Sequence, residues 1–311
     1  MDKLINAFLY FRNSSNTKKY LRTVGRLPNY ARPNHNTEKL QWRKLFDRNP
    51  LFPIFCDKIA VRDYVNERAP GTLMPKILWS GDDPSKIPFD SLPDRYVVKP
   101  SNRSGDVYFV QSPADADRKK IISLCHRWLR RRYGRGVREW AYKDLRGQIL
   151  VEEMLETNPG VLRSRDYRFH VFDGRLHLIV VDFADLSGTE RKVLGIDNFY
   201  DRSWNAMPFR RVRDEMLELK PITKPECLDR MITAAEALGE GVDYIRADFY
   251  LIGNEFYFSE ITIYPGSGYN TYTLDPKADP STTDSFEVHM GRLWQLPKIR
   301  LADRIWRGIF G

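Results

Sequence analysis

Asp248, Glu260 and Thr262 fall within one segment, YIRADFYLIGNEFYFSEIT (residues 244–262), whose other residues are largely aromatic or aliphatic. Its composition favours two β-strands around a Gly253-Asn254 turn. Side chains alternate faces along a strand, so Glu260 and Thr262 share one. Asp248 joins them only if it lies opposite Glu260. A strict two-residue turn pairs Asp248 with Ser259 instead, and an odd loop or a bulge restores the match. Two carboxylates held a few ångströms apart repel unless a cation or proton sits between them. The pattern therefore fits a divalent-metal site of hard oxygen ligands, or else an edge hairpin carrying two solvated acids.

Other segments carry chemistry of the same kind. Lys99 ends an apolar run and precedes PSNRSGD. A lysine beside a loop containing Ser104 and Gly105 can hold phosphate oxygens, because glycine admits close backbone approach and the N–H groups add donors. No GxxxxGK[ST] loop exists in the chain, and an exposed strand-end lysine is the plainer reading. ILVEEML turns abruptly from apolar to acidic, as a strand end presenting backbone groups and a carboxylate to a purine edge would, or as an ordinary strand terminus. Arg168 and His170 share a strand face with Asp166, and Arg191 follows a Gly-Thr pair, where it could stabilise a transferring phosphoryl group. YPGSGYN (residues 264–270) offers Tyr264, Gly266, Ser267 and Gly268 for an anion-binding nest just past the carboxylates.

The elements that must position these groups alternate without a regular βαβ repeat, which predicts an α+β fold. Residues 1–93 read as a basic helical lead-in, broken by prolines, and a first subdomain. Residues 94–160 form a central subdomain with the phosphate loop. Residues 161–289 form a C-terminal subdomain with a hairpin at Asp173-Gly174, a helix from Pro225 to Gly239 and the carboxylate hairpin. Residues 290–311 are a basic, Trp-containing tail. The 311 residues are 42% hydrophobic and 29% charged, with a net charge of +9, enough for a large core under a surface that attracts anions. No apolar run has membrane-spanning length. Three scattered cysteines suit a reducing cytoplasm and argue against a thiolate zinc site. No nucleic-acid module is recognisable, and the basic run HRWLRRRYGRGVREW reads as a solvated helix face. GDDP (residues 81–84) is the nearest approach to a glycosyltransferase metal motif and reads better as a turn.

In order along the chain, TEKLQW, DRNPLFPIFCDKIAVRDYV, YVVKPSNRSGDV, REWAYKDLRGQILVEEML, DYRFHVFDG and DYIRADFYLIGNEFYFSEITIYPGSG resemble the TupA-like ATP-grasp family. That family is named for a teichuronopeptide biosynthesis protein and is associated with bacterial surface polysaccharides. The resemblance spans about residues 37–275. It implies an ATP-grasp fold, with nucleotide held between two α+β subdomains, and ATP and Mg2+ as cofactors. Lys58 and Lys99 would be the phosphate lysines, and Asn102, Ser104 and Gly105 the loop that closes over the triphosphate. Glu152 would meet the adenine amino group, with Glu153, Met154 and Leu155 supplying hinge contacts and Asp166 the ribose contact. Asp248, Glu260 and Thr262 would hold the metal, Thr262 standing where most ATP-grasp enzymes have Asn. Beside the resemblance, the residues themselves make Arg246, Arg191 and Arg168 candidate catalytic groups, a surface ion pair being the plainer alternative for Arg191 and Arg168.

The expected reaction is a carboxylate–amine ligation through an acyl phosphate, joining an amino acid or peptide to a uronic acid or amino sugar of a glycan. Its partners would be small-molecule or glycan carboxylates and amines, without nucleic acid. An ATP-grasp kinase, a glycosyltransferase of the same pathway and a basic polymer-binding module are the rivals. The expected location is the bacterial cytoplasm. Contact of the tail with the inner face of the membrane, and a homodimer, stay open, packing of the tail on the domain being the preferred reading.

Overall fold

The computed structural model describes residues 2–131, 133–134, 136, 138–155, 163–185, 192–211, 222–274 and 285–299. Two antiparallel sheets form its frame. The smaller has four strands, β1 (Ile77–Gly81), β2 (Tyr96–Pro100), β3 (Tyr108–Val110) and β4 (Ile149–Glu153), in the order β1-β4-β2-β3. Strand β1, which the sequence division groups with residues 1–93, pairs with β4 of the central subdomain. The larger sheet has five strands, β5 (Arg163–Phe172), β6 (Arg175–Asp185), β7 (Lys192–Tyr200), β9 (Tyr244–Ile252) and β10 (Glu255–Thr262), in the order β10-β9-β5-β6-β7. A further two-stranded ribbon pairs β8 (Phe209–Arg211) with β11 (Tyr272–Leu274).

Periodicity accounts for how these sheets are covered. In helix α7 (Leu228–Gly239), Leu228, Met231, Ile232, Ala235 and Leu238 recur at helical spacing and are buried. They pack on Tyr167, Phe169, Val171, Ile245, Ala247 and Phe249, the odd-numbered face of β5 and β9. The turn at Asp173-Gly174 lies between β5 and β6, with both residues at positive φ. Helix α6 (Arg118–Arg130) starts at Asp117, whose carboxylate accepts from the Lys120 N–H, and lays Ile121, Cys125 and Trp128 on the smaller sheet. GDDP is a turn, as the sequence suggests: Asp83 accepts from the Ser85 N–H and hydroxyl.

The lead-in comprises α1 (Asp2–Arg12), α2 (Ser14–Val24), α3 (Asn36–Phe46), α4 (Leu51–Phe55) and α5 (Val61–Arg68). Helix α3 is polar in sequence yet buried on nearly every side. Its Arg43, fully buried, donates to the Tyr244 and Ile263 carbonyls and pairs with Asp243 at 2.6 Å, fixing the root of the β9–β10 hairpin. Helix α8 (Phe286–Leu293) and Trp294 pack on the opposite face of the large sheet, against Phe172, Leu178, Val180 and Tyr244, with the Trp294 indole donating to Asp243 at 2.6 Å. No helix among the described residues is long and apolar enough to cross a membrane.

Candidate active site

The β9–β10 turn is the two-residue Gly253-Asn254 turn, since Ile252 pairs with Glu255. Left regular, that ladder would set Ser259 against Asp248. The register shifts between Phe258 and Glu260, so Ser259 bulges out and Glu260 pairs directly with Asp248. The bulge keeps Phe258 and Ile261 in the core and turns Glu260 and Thr262 to the opposite face, beside Arg246 and Asp248.

Arg246 organises this cluster. Its Nε donates to Asp248 Oδ1 at 2.7 Å, its Nη2 to the other carboxylate oxygen, and it lies 3.5 Å from Glu260. The Thr262 hydroxyl donates to Glu260 at 2.9 Å and accepts from Arg246 at 3.1 Å. Burial raises the Asp248 carboxyl to about 6, against the pull of Arg246. Burial would raise Glu260 too, but Lys58 and Arg246 outweigh it and hold that carboxyl below its ordinary range. On the neighbouring strand, Arg168 pairs in register with Asp248 and forms an ion pair with Asp182.

These groups stand at the junction of two cavities. The first, of about 320 Å3, lies between the sheets and is lined by Lys58, Lys99, Ser104, Gly105, Glu152 through Leu155, Asp166, Arg168, Arg246, Asp248 and Glu260. The second, of about 450 Å3, shares Lys58, Ser104, Arg168, Arg246 and Glu260 with the first, and adds Thr262, Tyr264, Gly266 and Ser267. Most of the residues expected from sequence therefore converge on one continuous space. Two do not fit that expectation. Asn102 turns away, its amide donating to the Leu145 carbonyl at 3.1 Å while its side chain fills the space beside Gly147. Gly268 lines neither cavity; at φ +68° it packs so tightly on α3 that a Cβ would lie 2.6 Å from Gln41 and 2.8 Å from Leu40. Arg191 lies outside the described residues. His170 is structural in its contacts, with Nδ1 2.9 Å from the Tyr244 hydroxyl, and burial holds its imidazole well below the usual pKa.

On the smaller sheet, Lys99 Nζ is 2.5 Å from Glu152. Burial disfavours the Lys99 charge, yet the Glu152 carboxylate more than restores it and lifts its pKa above the ordinary value. Lys58 forms no such ion pair among the described residues: burial lowers its pKa, Glu260 opposes the fall, and its ammonium donates to the Arg103 carbonyl. Arg103 fastens the base of the PSNRSGD loop, pairing with Asp106 at 2.6 Å and donating to the Trp128 and Arg131 carbonyls. Gly105, at φ +83° with open space around its α-carbon, leaves the tip unobstructed.

Two groups at the second cavity are not announced by the sequence: Glu139, which lines it, and Lys44, which reaches Ser267 from behind. Gly266, Ser267 and Gly268 take successive left-handed conformations, strained for a serine. Lys44 holds the Ser267 hydroxyl at 2.9 Å, and that hydroxyl in turn bonds Glu139, which also lines the cavity. Burial pulls the Lys44 ammonium down to about 7 and pushes the Glu139 carboxyl up. Ser267 stands out in its Gly-Ser-Gly segment, but Lys44 and Glu139 come from distant segments, and the only local signal for them is one acid at the end of a strongly basic run. The Tyr264 hydroxyl is buried at this cavity without a hydrogen-bond partner among the described residues, as a group awaiting a ligand would be. Burial drives the Cys56 thiol up, which removes it as a nucleophile at neutral pH.

The acid pair suits magnesium, which takes few protein carboxylates and completes its shell with phosphate and water oxygens. Among the described residues no cluster of three or more His, Cys, Asp or Glu could hold a metal by itself. A self-sufficient protein cage is thus not present there, whereas a site completed by nucleotide phosphates fits Asp248 and Glu260.

No curated protein sequence matches significantly. Solved structures similar to this chain include D-alanine–D-alanine ligase from Helicobacter pylori, at 15% identity and a TM-score of 0.41 over 76% of this chain and 64% of that one. They include L-amino acid ligase from Bacillus licheniformis, at 16% and 0.40 over 69% and 42%. The ATP-grasp ligase PsnB complexed with minimal precursor follows at 14% and 0.37 over 68% and 53%. The chain thus spans between 42% and 64% of the length of these proteins. Residues 38–287 match the TupA-like ATPgrasp family, four-fifths of the molecule and every part of the two cavities, and the chain belongs to that family.

Proposed function

We propose that the protein is an ATP-dependent carboxylate–amine ligase that works through an acyl phosphate. The observation that carries this reading is the shared wall of the two cavities, where Lys58, Arg168, Arg246 and Glu260 face both. A nucleotide in the first cavity would place its terminal phosphate at that wall, and a carboxylate in the second would meet it there. Lys58 and Lys99 would offset phosphate charge, and the strand end at Glu152–Leu155 would bracket the base. Asp248 and Glu260 would hold Mg2+, which would supply positive charge to offset that developing on the phosphates.

In the first step, a carboxylate oxygen of the substrate attacks the γ-phosphorus, the bond to the β-phosphate oxygen breaks, and ADP leaves. In the second, an amine nitrogen attacks the acyl carbon, phosphate leaves, and the amine gives up a proton. Glu139, its pKa raised by burial and linked to Ser267, supplies an acceptor for that proton in the second cavity. The chain's own part is to position reactants, exclude water and match charge, which requires no serine or cysteine nucleophile. The family association extends the proposal to an amino acid or peptide joined to a uronic acid or amino sugar of a surface polysaccharide.

Phosphate release from Mg-ATP, measured with pooled carboxylates and pooled amines, tests the proposal. A ligase releases phosphate only when both pools are present. Release of ADP with a stable phosphorylated alcohol would establish a kinase instead.

A further inference from the structure

Helix α1 has two apolar faces, and the fold covers one. Leu9, with Ile5 and Tyr10, packs on Tyr30, Trp42, Leu45 and Phe46. On the opposite side, Leu4, Phe8 and Phe11 follow at spacings of four and three, which places them in one stripe. They are 77%, 41% and 81% exposed. Leu21 of α2 and Leu27 beyond it are 45% and 48% exposed, so five of the six exposed large hydrophobics among the described residues lie in this short N-terminal stretch. Single exposed hydrophobics are ordinary, whereas the contiguous α1 stripe of Leu4, Phe8 and Phe11 marks an interaction surface.

Charge decides what the surface fits. Residues 1–32 contain seven Lys or Arg and one acid, Asp2. Arg26 is engaged by Glu38 and Arg32 by Asp2, while Lys3, Lys18 and Arg22 stay exposed. A second copy of the chain would bring cations against cations. A bilayer containing anionic lipid complements both properties, with aromatic and leucine side chains entering the boundary of headgroups and acyl chains and cations resting among the phosphates.

We propose that the outer face of α1 and α2 docks the protein on an anionic lipid surface. The inner side of α2 explains what docking serves. Asn16 bonds Gln41 at 3.0 Å and accepts from the Tyr269 hydroxyl, and Tyr269 directly follows the Gly266–Gly268 loop of the second cavity. The docking face is therefore one helix away from a cavity wall, and a membrane-borne substrate would be met on that side. The docking itself stands independently of the proposed ligase chemistry.

Flotation of the full chain with vesicles of phosphatidylcholine alone, or of phosphatidylcholine mixed with phosphatidylglycerol, tests this. Binding is expected to the mixed vesicles at low salt, and to weaken as salt rises. The triple substitution Leu4→Ser, Phe8→Ser, Phe11→Ser is expected to reduce it about tenfold or more without changing the thermal unfolding midpoint. Lys18→Glu with Arg22→Glu gives an independent variant and should abolish the preference for anionic vesicles. Equal flotation of wild type and both variants, or no flotation with either vesicle, overturns the proposal. So does sedimentation showing a wild-type dimer that the triple substitution splits, which would assign the face to a second copy.

Discussion

Asp248 and Glu260 are direct cross-strand partners because Ser259 is bulged out of the ladder between Phe258 and Glu260. The two carboxylates then share one guanidinium, Arg246, which cannot satisfy both equally: it makes two bonds to Asp248 and reaches Glu260 only at 3.5 Å. Removing either carboxylate should leave a folded protein, since Arg246 keeps the other, but should lower turnover of Mg-ATP by about a hundredfold or more. Phosphate release and Mg2+-dependent thermal stabilisation by ATP, compared among wild type, Asp248→Asn and Glu260→Gln, check this. Wild-type turnover in both variants would remove these residues from the metal site.

Lys99 and Glu152 form a buried ion pair on the wall of the first cavity. If Lys99 contacts phosphate and Glu152 contacts the base independently, their losses should add. The pairing argues otherwise, because Glu152 holds Lys99 charged and oriented. Lys99→Ala is expected to weaken ATP binding by about tenfold to a hundredfold, and Glu152→Gln by a similar factor, with the double variant little worse than either. A double-mutant cycle in nucleotide Kd, read by calorimetry, measures the coupling. Strict additivity would mean that the pair is not functional.

Carboxylates within an aromatic hairpin are conspicuous in sequence, and so are a lysine before a Ser/Gly loop and an apolar run ending in two acids. Residue type and spacing therefore suffice to single out Asp248, Glu260, Lys99 and Glu152. Their register is another matter, since alternation alone places Ser259 opposite Asp248 and only the three-dimensional ladder shows the bulge. Helix α3 is harder to read. NTEKLQWRKLF has no clear apolar stripe, because the helix is enclosed on nearly all sides and its buried polar groups bond to distant backbone. Nothing local in the chain signals that Lys44 and Glu139 converge on Ser267. Asn102 and Gly268 show the converse, residues of a suitable type within a suitable loop whose packing directs them elsewhere.

Arg43 illustrates how much of the site depends on that enclosed helix. It is stacked near the rings of Phe52, Tyr244 and Trp294 while bonding the first residue of β9 and the residue just after β10. Arg43→Ala would leave the two carbonyls without their side-chain donor and Asp243 with the Trp294 indole but no cation, at a cost of about 3–5 kcal/mol. Urea unfolding should show the loss as a lower midpoint, with nucleotide binding falling only as the folded fraction falls. Reduced affinity in fully folded Arg43→Ala would instead show that the residue sets the hairpin geometry directly.

Asp47, at the end of the same helix, gives a pH signature. Its carboxylate is 3.5 Å from Arg43, but burial outweighs that attraction and raises its pKa to about 6. In the unfolded chain the group ionises near 4. Between about pH 4 and 6 the folded state therefore binds more protons than the unfolded one, and stability from this group falls as pH rises through that window. Asn keeps the shape and an acceptor for the Asn49 N–H without the charge. Asp47→Asn should match wild type at pH 4 and exceed it at pH 7, by about 2 kcal/mol. Urea midpoints at the two pH values check the sign: a variant less stable than wild type at pH 7 would mean that the Arg43 ion pair outweighs the burial of the carboxylate.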